Sequence, residues 1–309
     1  MNILHICAGW QKWNGAANIA RMIMDEQRRE GHDVSFATWA KVRDLRAADE
    51  VWIHCGWLPC LWWANLWAKK AVRMPEACYD PVRLKFSAWK KRLVRPIERW
   101  ALRRSAKIVA TCKAEKEWIE AYLGKRCPKV EVTDVKRFFG LNHVDHVEHV
   151  EGRALHLLYL GRRHPLKGVE YLEAAVAELN DGSRSRESKL NSGIGNFSNV
   201  EGLSVHCSTS TSNFDSKQIE LKIVSNAFGE EKEEIWRWCD VLVLPTLSEN
   251  FGLVVAEALE RGKRVITTDG APAWEDLTEA QGIYLKGFRD GSDETRVKLL
   301  KDALSQFAL

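Results

Sequence analysis

The sequence predicts an α/β protein of two doubly wound domains, each a mainly parallel sheet with helices on both faces. Three observations carry this expectation. Short apolar runs of strand length alternate with helix-length segments along the chain. The 309 residues exceed one ordinary core, at about 100–200 residues per domain. The polar stretch 142–152 separates two such series and puts the boundary near residue 150, giving domains 1–150 and 151–309.

The first series begins with an apolar run at 3–7, a loop at 8–14 and a helix at 15–30. Gly31 stops that helix, because glycine takes the left-handed cap conformation at little cost. Strands follow at 33–38, 51–55, 107–111 and 130–135, with helices near 60–71, 86–100 and 114–123. The second series has strands at 155–160, near 203–207, and at 219–224, 241–245 and 264–268. Its helices fall at 168–179, 232–239 and 251–261, with Gly262 ending the last of these. A final helix near 295–307 is placed so that it can pack back on the first domain. Residues 180–201, rich in Ser, Asn, Gly and Arg, read as a long surface loop.

With 28% charged and 45% hydrophobic residues, the composition is that of a folded chain rather than a disordered or collagen-like one. The eight cysteines are scattered without Cys-x-x-Cys spacing, which argues against a zinc ribbon or a thioredoxin-like site and for a reducing, cytoplasmic setting. The first residues lack a basic region and run straight into a strand, unlike a secretory leader. The net charge of +4 does not by itself imply nucleic acid, and none is expected as a partner. It hides an asymmetry, because 83–107 carries ten basic residues and one acid, Glu98. Such a face favours an anionic surface.

Two apolar segments need placing. Residues 51–68 carry no Asp, Glu, Lys or Arg but include His54, Gly56, Pro59, Asn65 and five tryptophans. A strand, a turn and a helix fit this better than a membrane span, since Trp prefers the membrane interface to the bilayer centre. In the second, Phe86, Trp89, Leu93, Ile97 and Trp100 recur at helical spacing with basic residues opposite and Pro96 expected to kink or interrupt the helix. Two readings stand: a helix packed on its own domain, or an interfacial helix on an anionic membrane.

Chemistry concentrates in two segments. In 240–268 a strand ends at Pro245, a loop carries Glu249, Asn250, Phe251, Gly252 and Leu253, and a helix carries Glu257. Open α/β sheets bind ligands at such carboxyl edges, and free amides at a helix start favour a phosphate. Glu257 has apolar sequence neighbours, and a carboxylate there needs a partner; two ribose hydroxyls would serve. In 158–168 a strand is followed by Arg162, Arg163, His164 and Lys167, and fixed cations beside a helix start suit a diphosphate.

Together these residues resemble the retaining nucleotide-sugar glycosyltransferases of family 4, whose fold is GT-B: two Rossmann-like domains facing across a cleft. Glu249 and Glu257 match the family's Glu-x7-Glu motif with its flanking Glu-Asn-Phe-Gly-Leu and Ala-Glu-Ala-Leu, and Gly161-Arg162 with Lys167-Gly168 match its Gly-Arg … Lys-Gly motif. The likeness is clear over 155–179 and 219–276. In the first half, Asn14-Gly15-Ala16-Ala17 stands where the family has a Gly-Gly pair, and 89–106 looks like the basic helical stretch of polysaccharide-building members.

The resemblance implies that Arg162 and Lys167 bind the donor diphosphate, Glu249 contacts the donor sugar, Asn250 to Leu253 line that site, Glu257 holds the ribose, and Gly15 and Ala16 approach the phosphates. It implies retaining transfer to a glycan or lipid-linked acceptor in surface polysaccharide or lipopolysaccharide assembly. His54, Glu76 and Asp80 are candidates for the acceptor side. No Asp-x-Asp pair is placed for Mg²⁺, so no metal and no cofactor are expected, and the histidines at 143, 146 and 149 read as linker. A degenerate nucleotide-sugar-binding protein and a sugar-nucleotide epimerase are the alternatives.

Overall fold

The structure is a computed structural model and describes residues 1–7, 15–55, 59–86, 89–141, 154–181 and 219–308. In chain order its strands are β1 Asn2–Cys7, β2 Asp33–Ala37, β3 Glu50–His54, β4 Ala71–Met74, β5 Lys107–Ala110, β6 Val130–Val132, β7 Leu155–Leu160, β8 Ile219–Val224, β9 Val241–Leu244, β10 Arg264–Thr268 and β11 Gly282–Leu285. The helices are α1 Gly15–Arg29, α2 Val42–Ala47, α3 Pro59–Trp67, α4 Pro81–Lys85, α5 Trp89–Leu102, α6 Lys113–Leu123, α7 Val169–Asn180, α8 Gly229–Trp238, α9 Leu253–Glu260 and α10 Asp293–Ala308.

The strands form two sheets, ordered β2-β1-β3-β4-β5-β6 and β11-β10-β9-β7-β8, and every described pairing is parallel. Parallel sheets need cover on both faces, which is why β3, β4 and β9 are buried at every residue. Each sheet has one point where strand order reverses, between β1 and β3 and between β7 and β9. Crevices for ligands open at the carboxyl ends beside such points. The chain divides into two compact units. One comprises Met1–Leu141, Ser248–Leu253 and Ala271–Asp276; the other comprises Asn142–Leu247, Val254–Gly270 and Leu277–Leu309. Within the second, α10 packs against α7.

Several elements differ from expectation. The helix expected to reach residue 71 ends at Trp67, and Ala71–Met74 is a central strand. Arg73, fully buried in it, breaks the apolar run that would have marked a strand. Its guanidinium donates to the Cys55 carbonyl at 2.9 Å. Residues 51–68 form β3 and α3, and among the described residues no helix is long and apolar enough to cross a membrane. Pro96 does not interrupt α5, which runs through it. Pro96 itself is exposed. The strand expected near 203–207 and the polar stretch 142–152 lie outside the described residues.

Gly168 shows how tightly the second unit is built at its reversal point. Its φ is +60°, and a Cβ built there would lie 2.1 Å from the Pro245 carbonyl oxygen. Only glycine allows both the backbone conformation and the approach of the two loops. Gly168→Ala is expected to destabilise the protein by more than about 2 kcal/mol in denaturant titration, whereas the open site at Gly262, with nothing within 4 Å of a Cβ, should show only the milder cost of its positive φ.

Candidate functional site

At the reversal point of the second sheet, two loops are tied together by main-chain groups. After β7 the chain passes Gly161 and Arg162, and the Tyr159 hydroxyl donates to the Arg162 carbonyl at 2.9 Å. His164 Nδ1 accepts from Leu166 N at 3.1 Å and caps the short 3-10 turn Pro165–Lys167. After β9, Leu247 N and Thr246 Oγ1 both donate to the Leu166 carbonyl, at 2.8 and 2.9 Å. The motif loop with Lys167 is thereby fixed against Pro245–Leu247. Arg162 is exposed and Lys167 half-buried, and Arg163 pairs with Glu173.

The next residues, Ser248–Leu253, belong to the first unit by their contacts. Phe251 is buried, stacks on Phe139 with ring centres 5.9 Å apart, and its carbonyl accepts from the Trp274 indole. Thr111 Oγ1 lies 3.1 Å from the Asn250 side-chain oxygen, and Arg83 Nε donates to Ser248 Oγ at 3.3 Å. Glu249 is half-buried and accepts from Asn250 N at 3.1 Å. Gly252 has φ +74°, a turn that aims the chain into α9. A Cβ at Gly15 would lie 3.6 Å from Leu253 Cδ1; Ala16 follows in α1, half-buried. Glu257, on α9, is neither fully buried nor unpartnered: its Oε2 takes a 2.7 Å ion pair from Lys232 of α8.

The acceptor-side candidates sit at the carboxyl edge of the first sheet. His54 and Cys7, which end β3 and β1, are register partners beside the reversal point. His54 Nε2 lies 3.0 Å from His5 Nδ1, and His5 Nε2 lies 2.7 Å from Gln27 Oε1. His54 Nδ1 faces Glu76 Oε1 at 3.3 Å, and the Cys55 thiol donates to Glu76 Oε2 at 3.3 Å. Burial, with His54 adding to it, pushes His5 down to about 3. Burial and then Arg73 push His54 down to about 3. Burial pushes Glu76 up to about 8 against the opposing pull of the Cys55 hydrogen bond and Arg83. Asp80 is also buried, and its carboxylate caps α4 by accepting from Val82 N at 2.9 Å. His54 and Glu76 thus belong together, while Asp80 has a cap to hold.

Sequence reasoning missed His5, Gln27, Thr111, Glu115 and Lys232. His5 left a trace, as the lone polar residue within the apolar run of β1. The others lie far apart in sequence and left none.

A different surface is built by α5. Its inner face carries the buried Glu98, which accepts from the hydroxyls of Tyr79 and Tyr122, both at 2.9 Å. Asn65 of α3 donates to the Ala101 carbonyl at 3.0 Å. Its outer face leaves Leu93, Ile97 and Trp100 exposed at 68%, 55% and 49%, with Phe86 nearby at 59%. The adjacent α3 exposes Trp63 and Leu66 as well. Arg92, Arg103 and Arg104 are exposed around this face. The stripe read from the sequence is therefore the outer face, and a different stripe packs inward.

The Glycosyl transferase 4-like domain profile matches residues 36–135, and the Glycosyl transferases group 1 profile matches residues 154–290. No curated protein sequence matches the chain. Among solved structures it is similar to sucrose-phosphate synthase from Thermosynechococcus elongatus (TM-score 0.62, 13% identity, covering 100% of this chain and 91% of that one). It is also similar to Anabaena HepE in complex with UDP-glucose (0.61, 13%, 100% and 91%). A third is WaaG, described as a glycosyltransferase involved in lipopolysaccharide biosynthesis (0.59, 14%, 99% and 91%). At such identities the likeness concerns the fold, which is GT-B.

The buried cluster sets a pH dependence. His5 and His54 bind fewer protons folded than unfolded between about 3 and 6.5, so stability rises with pH across that window. Glu76 holds its proton longer when folded, so stability falls as pH rises from 4.5 to about 8. Each group contributes a slope of up to about 1.4 kcal/mol per pH unit. Below pH 6.5 the two histidines act against Glu76 and against the buried Glu98 and Glu115, whose pKa values are also raised; above 6.5 the histidines contribute no slope and Glu76 still does. Thermal midpoints should therefore decline from pH 6.5 to about 8, and Glu76→Gln should flatten that decline.

Proposed function

We infer that this chain, which belongs to the group 1 glycosyltransferases and carries a glycosyl transferase 4-like domain in its first half, moves a sugar with retention of configuration from a nucleotide-diphosphate sugar to a glycan or lipid-linked acceptor. The observation that carries the reading is the tie through the Leu166 carbonyl, which fixes the Gly-Arg … Lys-Gly loop against Thr246 and Leu247 at the carboxyl ends of the neighbouring strands β7 and β9. Cleaving the donor leaves a diphosphate whose charge must be stabilised, and preorganised cations and amides supply that stabilisation. Arg162 and Lys167 serve as the cations, in place of a divalent metal. Glu249 binds donor sugar hydroxyls, with Asn250 to Leu253 lining the sugar and phosphate. Glu257 accepts from the ribose hydroxyls through Oε1 while Lys232 holds Oε2. The acceptor attacks the face the diphosphate leaves, and the departing phosphate takes its proton. HepE has been captured with UDP-glucose, which makes UDP the first nucleotide to try.

The same reading includes peripheral contact with an anionic membrane on the cytoplasmic side, through residues 83–107. Its support is that α5 is already anchored inward by Glu98 while its outer face sets exposed apolar residues among arginines. Apolar insertion and attraction to anionic headgroups then act together. Surface polysaccharide or lipopolysaccharide assembly, with its lipid-linked acceptors, is the setting such a contact serves.

Thermal shift with UDP, GDP and ADP tests the donor site. A ligand at 100 times its Kd adds about 2.7 kcal/mol, so one base should raise the midpoint visibly. Glu257→Ala should abolish the shift, and the Arg162→Ala, Lys167→Ala pair should abolish transfer while the chain stays folded. No shift with any base would overturn the donor site. For the membrane contact, sedimentation with phosphatidylglycerol vesicles should pellet the protein and phosphatidylcholine vesicles should not. Leu93→Glu with Ile97→Glu should release it; equal binding by that variant would remove α5 from the contact.

A further inference from the structure

The buried polar chain at the carboxyl edge of the first sheet has a direction. Gln27 Oε1 can only accept, so His5 Nε2, 2.7 Å away, carries a proton. With both imidazoles neutral, His5 Nδ1 is a bare acceptor, and His54 Nε2 at 3.0 Å donates to it. His54 Nδ1 is then bare in turn, and the hydrogen bond to Glu76 Oε1 must take its proton from the carboxyl. Turning the Gln27 amide over reverses every bond and ends on an ionised Glu76 that accepts from His54. The Cys55 thiol donates to Glu76 Oε2 in both arrangements. Glu76 can therefore lose or regain a proton without any imidazolium forming in the core.

Glu76 also stands on strained backbone. Cys55, Glu76 and Ala77 have φ of +66°, +57° and +58°, conformations that cost a non-glycine residue roughly 1–3 kcal/mol each. What holds the turn is a second chain of hydrogen bonds. Ala77 N donates to Glu115 Oε1 at 2.6 Å, and Glu115 Oε2 accepts from Thr111 N and Thr111 Oγ1, both at 2.7 Å. The Thr111 hydroxyl lies against Asn250.

We propose that Glu76 is a positioning residue: its proton, held by the Gln27–His5–His54 chain, sets the turn Glu76–Ala77, and through Glu115 and Thr111 that turn sets Asn250. This rests on the reading of Asn250 as part of the donor site. The groups acting on Glu76 come from every neighbouring element. His54 and Cys55 bond to it, and Arg83 of α4 favours its ionised form. Cys7 of β1 and Glu115 of α6 both feel its charge. Arg73 of β4 acts on His54, and Arg28 and Glu50 act on His5. When Glu76 ionises, its charge opposes that of the buried Glu115 across the turn, and the bond that holds Ala77 weakens.

Hydrogen exchange of the ligand-free protein tests this, with wild type and variant compared at the same pH. At pH 6.5 the amides of 248–253 should exchange alike in wild type and Glu76→Gln, because the amide reproduces the protonated carboxyl. At pH 9 they should exchange about tenfold faster in wild type, since one unit above a pKa of about 8 leaves roughly ten ionised groups per protonated one. Thr111→Val loses the hydroxyl's bond to Glu115 and its link to Asn250 but keeps the Thr111 N and Ala77 N bonds to Glu115; it should abolish the pH response at 248–253 and keep one at 76–79. Wild type and Glu76→Gln tracking each other at both pH values would overturn the proposal, as would a response at 248–253 that survives Thr111→Val. The measurement needs no nucleotide, so failure of the donor-site reading and failure of the relay are separate outcomes.

Discussion

The carbonyl of Leu166 is the point on which the carboxyl edge of the second unit's sheet depends. It accepts from Leu247 N and from Thr246 Oγ1, so the loop after β7 and the loop after β9 cannot move independently. The tie works because Gly168 lets the following backbone press on Pro245. It is extended by β10, whose Thr268 hydroxyl bonds to the Thr246 carbonyl. Gly270 comes so close to Thr246 that a Cβ there would lie 2.0 Å from its oxygen. Three loops from three adjacent strands are thus held by main-chain acceptors and small side chains. The loop that carries Lys167 is thereby held at the strand ends through its main chain.

The edge of the first sheet solves the same problem differently. No glycine stands at Cys55, Glu76 or Ala77, although each takes a left-handed conformation. The strain is offset by buried hydrogen bonds to His54, Glu115 and Thr111. A polar network in low dielectric is strong while every member is satisfied and costly once one is not. Such an edge is therefore sensitive to proton movement in a way that a glycine-built edge is not. The two sheets share a topology and differ in what secures their carboxyl ends.

The helix α5 shows why an amphipathic pattern does not by itself say which face points inward. Its apolar stripe is the natural candidate for the core, yet the core side carries Glu98 between two tyrosine hydroxyls. Burying a carboxyl there is tolerable because both bonds are made and burial keeps its pKa raised. The apolar stripe is then left to the outside, within the most basic stretch of the chain.

Alternation of short apolar runs with helical segments was enough to determine two parallel α/β units. The Glu-x7-Glu and Gly-Arg … Lys-Gly spacings fall on the loops after β9 and β7, as expected, because strand ends and loop residues are local properties of sequence. Locality is also where this legibility stopped. The strand Ala71–Met74 was hidden by Arg73, whose burial depends on acceptors distant along the chain, the Cys55 carbonyl among them. His5, Gln27, Glu115 and Lys232 acquire meaning from partners 22 to 49, 4 to 38 or 25 residues away along the chain. Which side of α5 is buried, and whether Glu76 holds its proton, depend on desolvation and on hydrogen bonds between separate elements. Those are set when the chain packs, and tertiary structure alone decided them.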